Sequence, residues 1–360
     1  MVAAPLHVRG VVLPEREHRD VWVRDGRITF EPVPDAETVA EGWILPGLVD
    51  LHCHVGLDSR GAVPRDDAER QARADRDAGV LLIRDAGSAA DTRWIDDRPD
   101  LPRIVRAGRH IARTGRYIRN YGWEIEPDQL VSYVEAEAKR GDGWVKLVGD
   151  WIDRDRGDLG PCWPAAALDT AIARAHELGA RVTAHVFGED ALADLIGAGI
   201  DGIEHGCGLS PDLMAVMAER RVSMVPTLVN IDNFPKYAAQ GEARYPAYAA
   251  HMRALHEHRY RTVGLAYEAG VPIFAGTDAG GVLPHGLVAH EVLELVRAGI
   301  PATEAVAAAS WGARKYLLGE PGTLVDDGPA DLAVYSADPT LDPATLLAPV
   351  RVMLRGSVVH

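Results

Sequence analysis

The feature that most restricts how this chain can fold is a short apolar run followed by a helical stretch, repeated along most of its length. Strand-like runs fall at residues 44–54, 80–83, 103–107, 144–148, 181–185, 202–205, 222–226 and 272–275. Between them lie helical stretches, the clearest at residues 128–140, 165–178, 189–196, 212–220, 245–269 and 287–298, several closed by glycine as helix ends commonly are. Strands that alternate with helices call for a parallel sheet covered on its faces. Eight such units match the (β/α)8 TIM barrel, an α/β fold of about 250 residues. A doubly wound open sheet is the structural alternative, but no glycine-rich phosphate turn follows the first strand.

In a barrel of this kind chemistry sits at the carboxyl ends of the strands, and the unusual residues fall there. The run Ile44-Leu45-Pro46-Gly47-Leu48-Val49-Asp50-Leu51 reads as one buried strand and ends in His52-Cys53-His54. In extended chain, residues two apart point to one face, so both imidazoles reach a single cation while Cys53 points away. His256 and His258 serve as a control. They lie in a helical stretch, where residues two apart diverge by about 200°, and read as surface histidines. Lys146 ends the fourth run, His185 the fifth and His205 the sixth, and Asp278 follows the eighth in Gly276-Thr277-Asp278-Ala279. Singly, a strand-end histidine is a satisfied polar residue and Asp278 a helix cap. Six ligand-type groups on one rim point instead to a metal site.

Lys146 stands out because the chain has only four lysines, Lys139, Lys146, Lys236 and Lys315, and otherwise uses arginine for positive charge. Pairing with Asp142 or Asp150 is the plain reading. A lysine beside metal cations has a depressed pKa and a nucleophilic amine, which can add carbon dioxide to become an anionic carbamate bridging two metals.

The termini read differently. Residues 7–13 are strand-like, and Asp25-Gly26 between alternating runs is a strong hairpin signal. Residues after about 322 repeat this flavour. Neither half can bury an apolar face alone, so the expectation is a small β-sandwich built from both ends, residues 1–43 and 319–360, flanking a barrel of residues 44–318.

A formal charge of -15, from 53 acidic and 38 basic residues, repels phosphate backbones and anionic lipid, which argues against nucleic-acid or membrane partners. No apolar run approaches the ~20 residues of a membrane helix, and Met1-Val2-Ala3-Ala4-Pro5 lacks the form of a signal peptide, so a cytoplasmic protein is expected. Three scattered cysteines, Cys53, Cys162 and Cys207, give no disulfide framework; they read as small buried residues, with a ligand role open for Cys207 beside His205. A small-molecule substrate is the expected partner, and a homo-oligomer is compatible with such a chain.

At this point the residues resemble a family. Pro46 through His54, Val145-Lys146-Leu147, Ala184-His185, Ile203-Glu204-His205-Gly206 and Gly276-Thr277-Asp278-Ala279 are similar to motifs of the amidohydrolase superfamily, near its prolidase-like and imidazolonepropionase-related metal hydrolases. The resemblance implies that His52, His54 and Asp278 hold one divalent ion, that His185 and His205 hold a second, and that carbamylated Lys146 bridges them. Nitrogen and carboxylate ligands with open positions suit catalytic zinc, with manganese or iron as alternatives. It implies a hydrolase cleaving an amide-type C–N bond in a dipeptide, an N-acyl amino acid or a lactam, through metal-activated hydroxide with Asp278 as acid and base.

In many such hydrolases the loop after the third strand carries a Gly-Gly-His-Gly-like element; here residues 112–123 hold Arg113, Arg116, Tyr117, Arg119, Tyr121 and Trp123, a set able to clamp a carboxylate and an apolar group. Arg113, Tyr117, Trp123, Asn230 and His285 are therefore candidate substrate contacts. Two other readings compete. One is a mononuclear deaminase or imidazolone-type hydrolase, which typically has a glutamate three residues after a metal-binding histidine, whereas Glu189 falls four after His185. The other is a catalytically silent barrel acting as an interaction protein.

Overall fold

The computed structural model describes residues 4–319 and 321–360, so Met1–Ala3 of the start considered above lie outside the described residues. Among these, Leu48–Cys53, Val80–Asp85 and Arg103–Arg106 form one parallel sheet with Val80–Asp85 in the centre. A second parallel sheet runs in the order Trp123–Ile125, Ile111–Arg113, Trp144–Val148, Arg181–Val186, Gly202–His205, Ser223–Val225. The segment around residues 273–279 touches both sheets: Ile273 bridges Met224, the Leu51 N–H donates to Ala275 O (3.0 Å), and Cys53 bridges Ala279.

The eighth strand-like run is thus present as isolated bridges rather than as a ladder. Pro272 has no N–H to give, and a side chain at Gly276 would strike His52, its Cβ falling 2.7 Å from the His52 Cβ. Helices Arg65–Asp77, Leu130–Arg140, Ala165–Glu177, Leu192–Gly197, Pro211–Arg220, Pro246–Glu268 and Val288–Arg297 separate the strands. Val80, Ile83, Val145, Leu147, Val182 and Ile203 are fully buried against Ala72, Ile172, Leu195, Met217 and Leu295. Burial of each large aliphatic side chain contributes roughly 1.5–3 kcal/mol.

The run at residues 44–54, read above as one strand, is two. Glu37–Pro46 belongs to a sheet formed by the termini, and Leu48–Cys53 begins the parallel one. The break falls at Gly47, where any Cβ would sit 2.7 Å from the Leu81 Cβ. The terminal sheet has eight strands, joined where Leu332–Tyr335 pairs antiparallel with Glu37–Pro46. Its hairpin turns at Asp25 (φ 52°) and Gly26 (φ 80°), the two positive values a tight primed turn requires. Val8, Val21, Ile28, Ile44, Leu332 and Met353 form its separate core. No helix among the described residues is long and apolar enough to cross a membrane.

Candidate active site

Strand alternation sends His52 and His54 to one side and Cys53 into the core, as the spacing requires. The His54 Nδ1 lies 2.7 Å from Gly87 O and the His52 Nδ1 lies 2.7 Å from a Glu204 carboxylate oxygen. Only a protonated Nδ1 suits those partners, so in the neutral ring each Nε2 carries the lone pair. Both lone pairs aim at one atom, Asp278 Oδ1, at 3.3 Å from His52 and 2.9 Å from His54. Three acceptors meeting at a buried point repel one another unless a proton or a cation lies among them. On the other side of this point His205 Nε2 faces His185 Nδ1 at 2.9 Å, and His205 Nδ1 is held by Thr227 Oγ1 at 2.7 Å. Ligand atoms of His52, His205 and Asp278 lie within 4.8 Å of one another.

The structure therefore gathers five of the six rim residues into two adjoining groups, His52 and His54 on Asp278 and His205 on His185, with the His52 and His205 ring centres 5.1 Å apart. Lys146, expected at a strand end, is the middle residue of Trp144–Val148; its side chain is wholly buried and its Nζ has no hydrogen-bond partner. Burial pulls its amine down to about 8, against the upward pull of Glu204 and Asp278. An orphaned amine and convergent imidazole lone pairs form a donor set that fits divalent cations.

Three of the site's supporting backbone positions are strained. His205 (φ 68°), Thr227 (φ 49°) and Asp278 (φ 59°) are all left-handed without being glycine, which is costly above all for a β-branched threonine. The support beneath is polar and closed. Asp50 accepts from the backbone N–H groups of His52 (3.0 Å) and Thr277 (3.1 Å) and from the Thr277 hydroxyl (2.6 Å), tying the first strand to the Asp278 loop. Burial and the nearby Asp75 carboxylate push Asp50 up to about 7.

Glu204 and Arg84 were not singled out by sequence reasoning. Arg84 and Thr183 both donate to Glu204 Oε1, and all three are fully buried. Against burial, Arg84, His52 and Lys146 hold the Glu204 carboxyl well below the usual carboxylate range. The signal was available: a charged residue that directly follows the apolar run Val80–Ile83 in a buried strand needs a partner. His110 was also missed, three residues past the third run. It is wholly buried, its ring 4.9 Å from His54 and 5.2 Å from Tyr117.

Above this point lies a cavity of about 390 Å³, floored by His54, His185 and Asp278 and walled by Tyr117, Trp151, Phe187, Tyr237 and Tyr248. Of the candidate substrate contacts, Tyr117 and Asn230 line it, and the Asn230 Nδ2 donates to Asp278 Oδ2 at 2.6 Å. The other three point elsewhere. Arg113 faces Glu126 at 3.8 Å, and Trp123 Nε1 donates to Glu137 (2.8 Å) beneath Arg109. His285 is buried on Asp75 (2.7 Å), forming with Cys53 a second compact group of ligand-type atoms. Cys207 packs with Phe187 and Phe234 in an apolar cluster, and Glu189 pairs with His251 at 3.0 Å on the rim.

Residues 131–359 match the model of the amidohydrolase family. The chain belongs to the amidohydrolase family. As a member it is a hydrolase, and its ligand-type cluster suits the metal ions this family generally uses. An uncharacterised protein of Mycobacterium tuberculosis (strain ATCC 25618 / H37Rv) is 55% identical over 356 residues, 98% of this chain and 95% of its own. Among solved structures, a Xaa-Pro dipeptidase with methionine bound in its active site aligns with a TM-score of 0.84 and 22% identity, over 99% of each chain. An A. niger ochratoxinase aligns at 0.80 with 19% identity, over 99% of this chain and 96% of its own. These likenesses give this amidohydrolase a TIM-barrel-type fold with an additional domain.

Proposed function

We propose that this chain is a binuclear metal-dependent amidohydrolase that cleaves an amide-type C–N bond in a small molecule. The observation that carries the reading is the convergence of the His52 and His54 Nε2 atoms on Asp278 Oδ1, beside the facing nitrogens of His185 and His205. In this reading His52, His54 and Asp278 would hold one ion and His185 and His205 the other, with carbamylated Lys146 as a ligand shared between them. Zinc suits the donors. The chain then divides into an eight-unit closed barrel (44–318) and a terminal domain (1–43 and 319–360).

When bound, two such ions supply Lewis acidity, acidifying a water and polarising the scissile carbonyl. The protein's own residues do the rest. Glu204 fixes the tautomer of His52, and the Gly87 carbonyl fixes that of His54. Asp278 takes the proton of the attacking water and passes it to the departing nitrogen, which leaves only when protonated. Asn230 holds the other carboxylate oxygen, and Tyr237 holds Asn230 through a hydroxyl donated at 3.0 Å. The aromatic walls exclude bulk water from the reacting bond.

The test is hydrolysis of a panel of amides, lactams and esters by protein as purified, stripped by chelator, and reloaded with zinc. Amide cleavage lost on stripping and restored on reloading supports the reading. Equal rates in all three samples, or no cleavage by fully loaded protein, overturn it.

A further inference from the structure

We propose that the cavity selects neutral, apolar amides and discriminates against substrates that carry a free carboxylate. This rests on the hydrolase reading above and narrows it. Aromatic faces from several separate segments wall the cavity, and no lysine or arginine lines it among the described residues. Of the three arginines in the loop that looks suited to clamp a carboxylate, Arg113 and Arg116 are turned to other partners, and Arg119 is exposed and outside the cavity lining. Arg116 donates to the carbonyls of Trp151 (3.3 Å), Gly160 (3.0 Å) and Pro161 (3.1 Å) and pairs with Asp153 at 3.3 Å, so its charge braces the hairpin beneath Trp151. Arg113 faces Glu126.

The polar groups that remain are committed or neutral. Asn230 is shared between Asp278 and Tyr237, and burial together with Asp278 pushes the Tyr117 hydroxyl well above its ordinary value. A substrate carboxylate against this wall would lose its water, meet no cation of the chain, and face the Asp278 carboxylate. An aromatic or aliphatic group gains contact on every side. The volume of about 390 Å³ suits a compact molecule rather than an extended peptide.

Two matched pairs test this with the metal-loaded enzyme. The first is para-isopropylacetanilide against para-acetamidobenzoate, which share one amide bond and differ in charge. The second is the pair of corresponding ketones in which CH2 replaces the amide NH; these cannot be cleaved and report binding alone by calorimetry. The neutral ketone should bind at least tenfold more tightly than its acid, and the neutral anilide should show at least tenfold higher kcat/KM. Gln240→Arg, placing a guanidinium at the cavity mouth, should shrink the difference in ketone binding several-fold. Acid bound as tightly as the neutral ketone, or a neutral ketone that does not bind, overturns the proposal even if hydrolysis is metal-dependent. A tenfold binding preference without metal-dependent hydrolysis supports the cavity's selectivity and overturns the hydrolase reading instead.

Discussion

Glu204 lies 2.7 Å from His52 Nδ1 through one carboxylate oxygen, while its other oxygen is held by Arg84 from a strand 120 residues earlier. A buried ion pair is a poor source of net stability, because desolvation offsets the attraction. Here it has a second consequence: the orientation and tautomer of His52 follow from it. Glu204→Gln should lower metal affinity about 10–100-fold, as loss of such outer partners does. It should also cost roughly 3–5 kcal/mol of stability by leaving the Arg84 charge buried without a counter-charge. Metal titration and chemical denaturation of the variant check both effects. Unchanged metal affinity in a destabilised variant would reduce Glu204 to a packing role.

Lys146 is wholly buried without a hydrogen bond, an expensive state for an amine with no further purpose. Lys146→Ala should reduce kcat/KM at least ~100-fold and lower the bound metal per chain, because the proposed bridging carbamate can no longer form. Lys146→Arg should not restore either, since a guanidinium does not form the carbamate. Reconstitution with 13C-labelled bicarbonate should give a carbamate carbon resonance in the wild type that is absent from both variants.

Asn230 donates to Asp278 Oδ2 at 2.6 Å, stabilising the ionised carboxylate. Asn230→Ala removes that donor, so the acid limb of the kcat/KM profile should move to higher pH and kcat should fall about tenfold. A pH–rate comparison decides it. An unshifted acid limb would show that Asp278 does not titrate in the reaction.

His251, on the long helix Pro246–Glu268, sits between Glu189 and Asp158, each at 3.0 Å. The Glu189 hydrogen bond, working against burial and joined by Asp158, lifts its imidazole to about 9. A folded value raised above the unfolded one means that the stabilisation is complete below about pH 6.5 and disappears as pH rises through 9. His251→Gln should therefore cost roughly 1–3 kcal/mol at pH 6 and little at pH 9.5, measured by thermal unfolding of both proteins at the two values. A loss equal at both pH values would contradict the ion-pair account.

What was legible in the sequence is what repeats or alternates. Trp144–Val148 and Gly202–His205 have the bounds their apolar runs suggest, and the two-residue spacing of His52 and His54 carries over directly into three dimensions. The strand division at Gly47 was hidden because a run apolar throughout looks the same whether it enters one sheet or two. Pairings such as Arg84 with Glu204 depend on which strands stand opposite across the interior, which local pattern does not record. The cavity was hidden for the same reason. Trp151 comes from a hairpin after the fourth run, Phe187 from a strand end and Tyr237 from a helix far along the chain. Arg113, Trp123 and His285 show the converse: proximity in sequence to the site says little about where a long side chain finds its partner.

The central claim is that side chains from distant segments hold a pair of ions on which amide cleavage depends. The most direct measurement is metal content set against activity in one titration, adding zinc stepwise to chelator-stripped protein. Activity should climb to its maximum at about two equivalents per chain and stay there. Full activity at one equivalent, or without added metal, would contradict it.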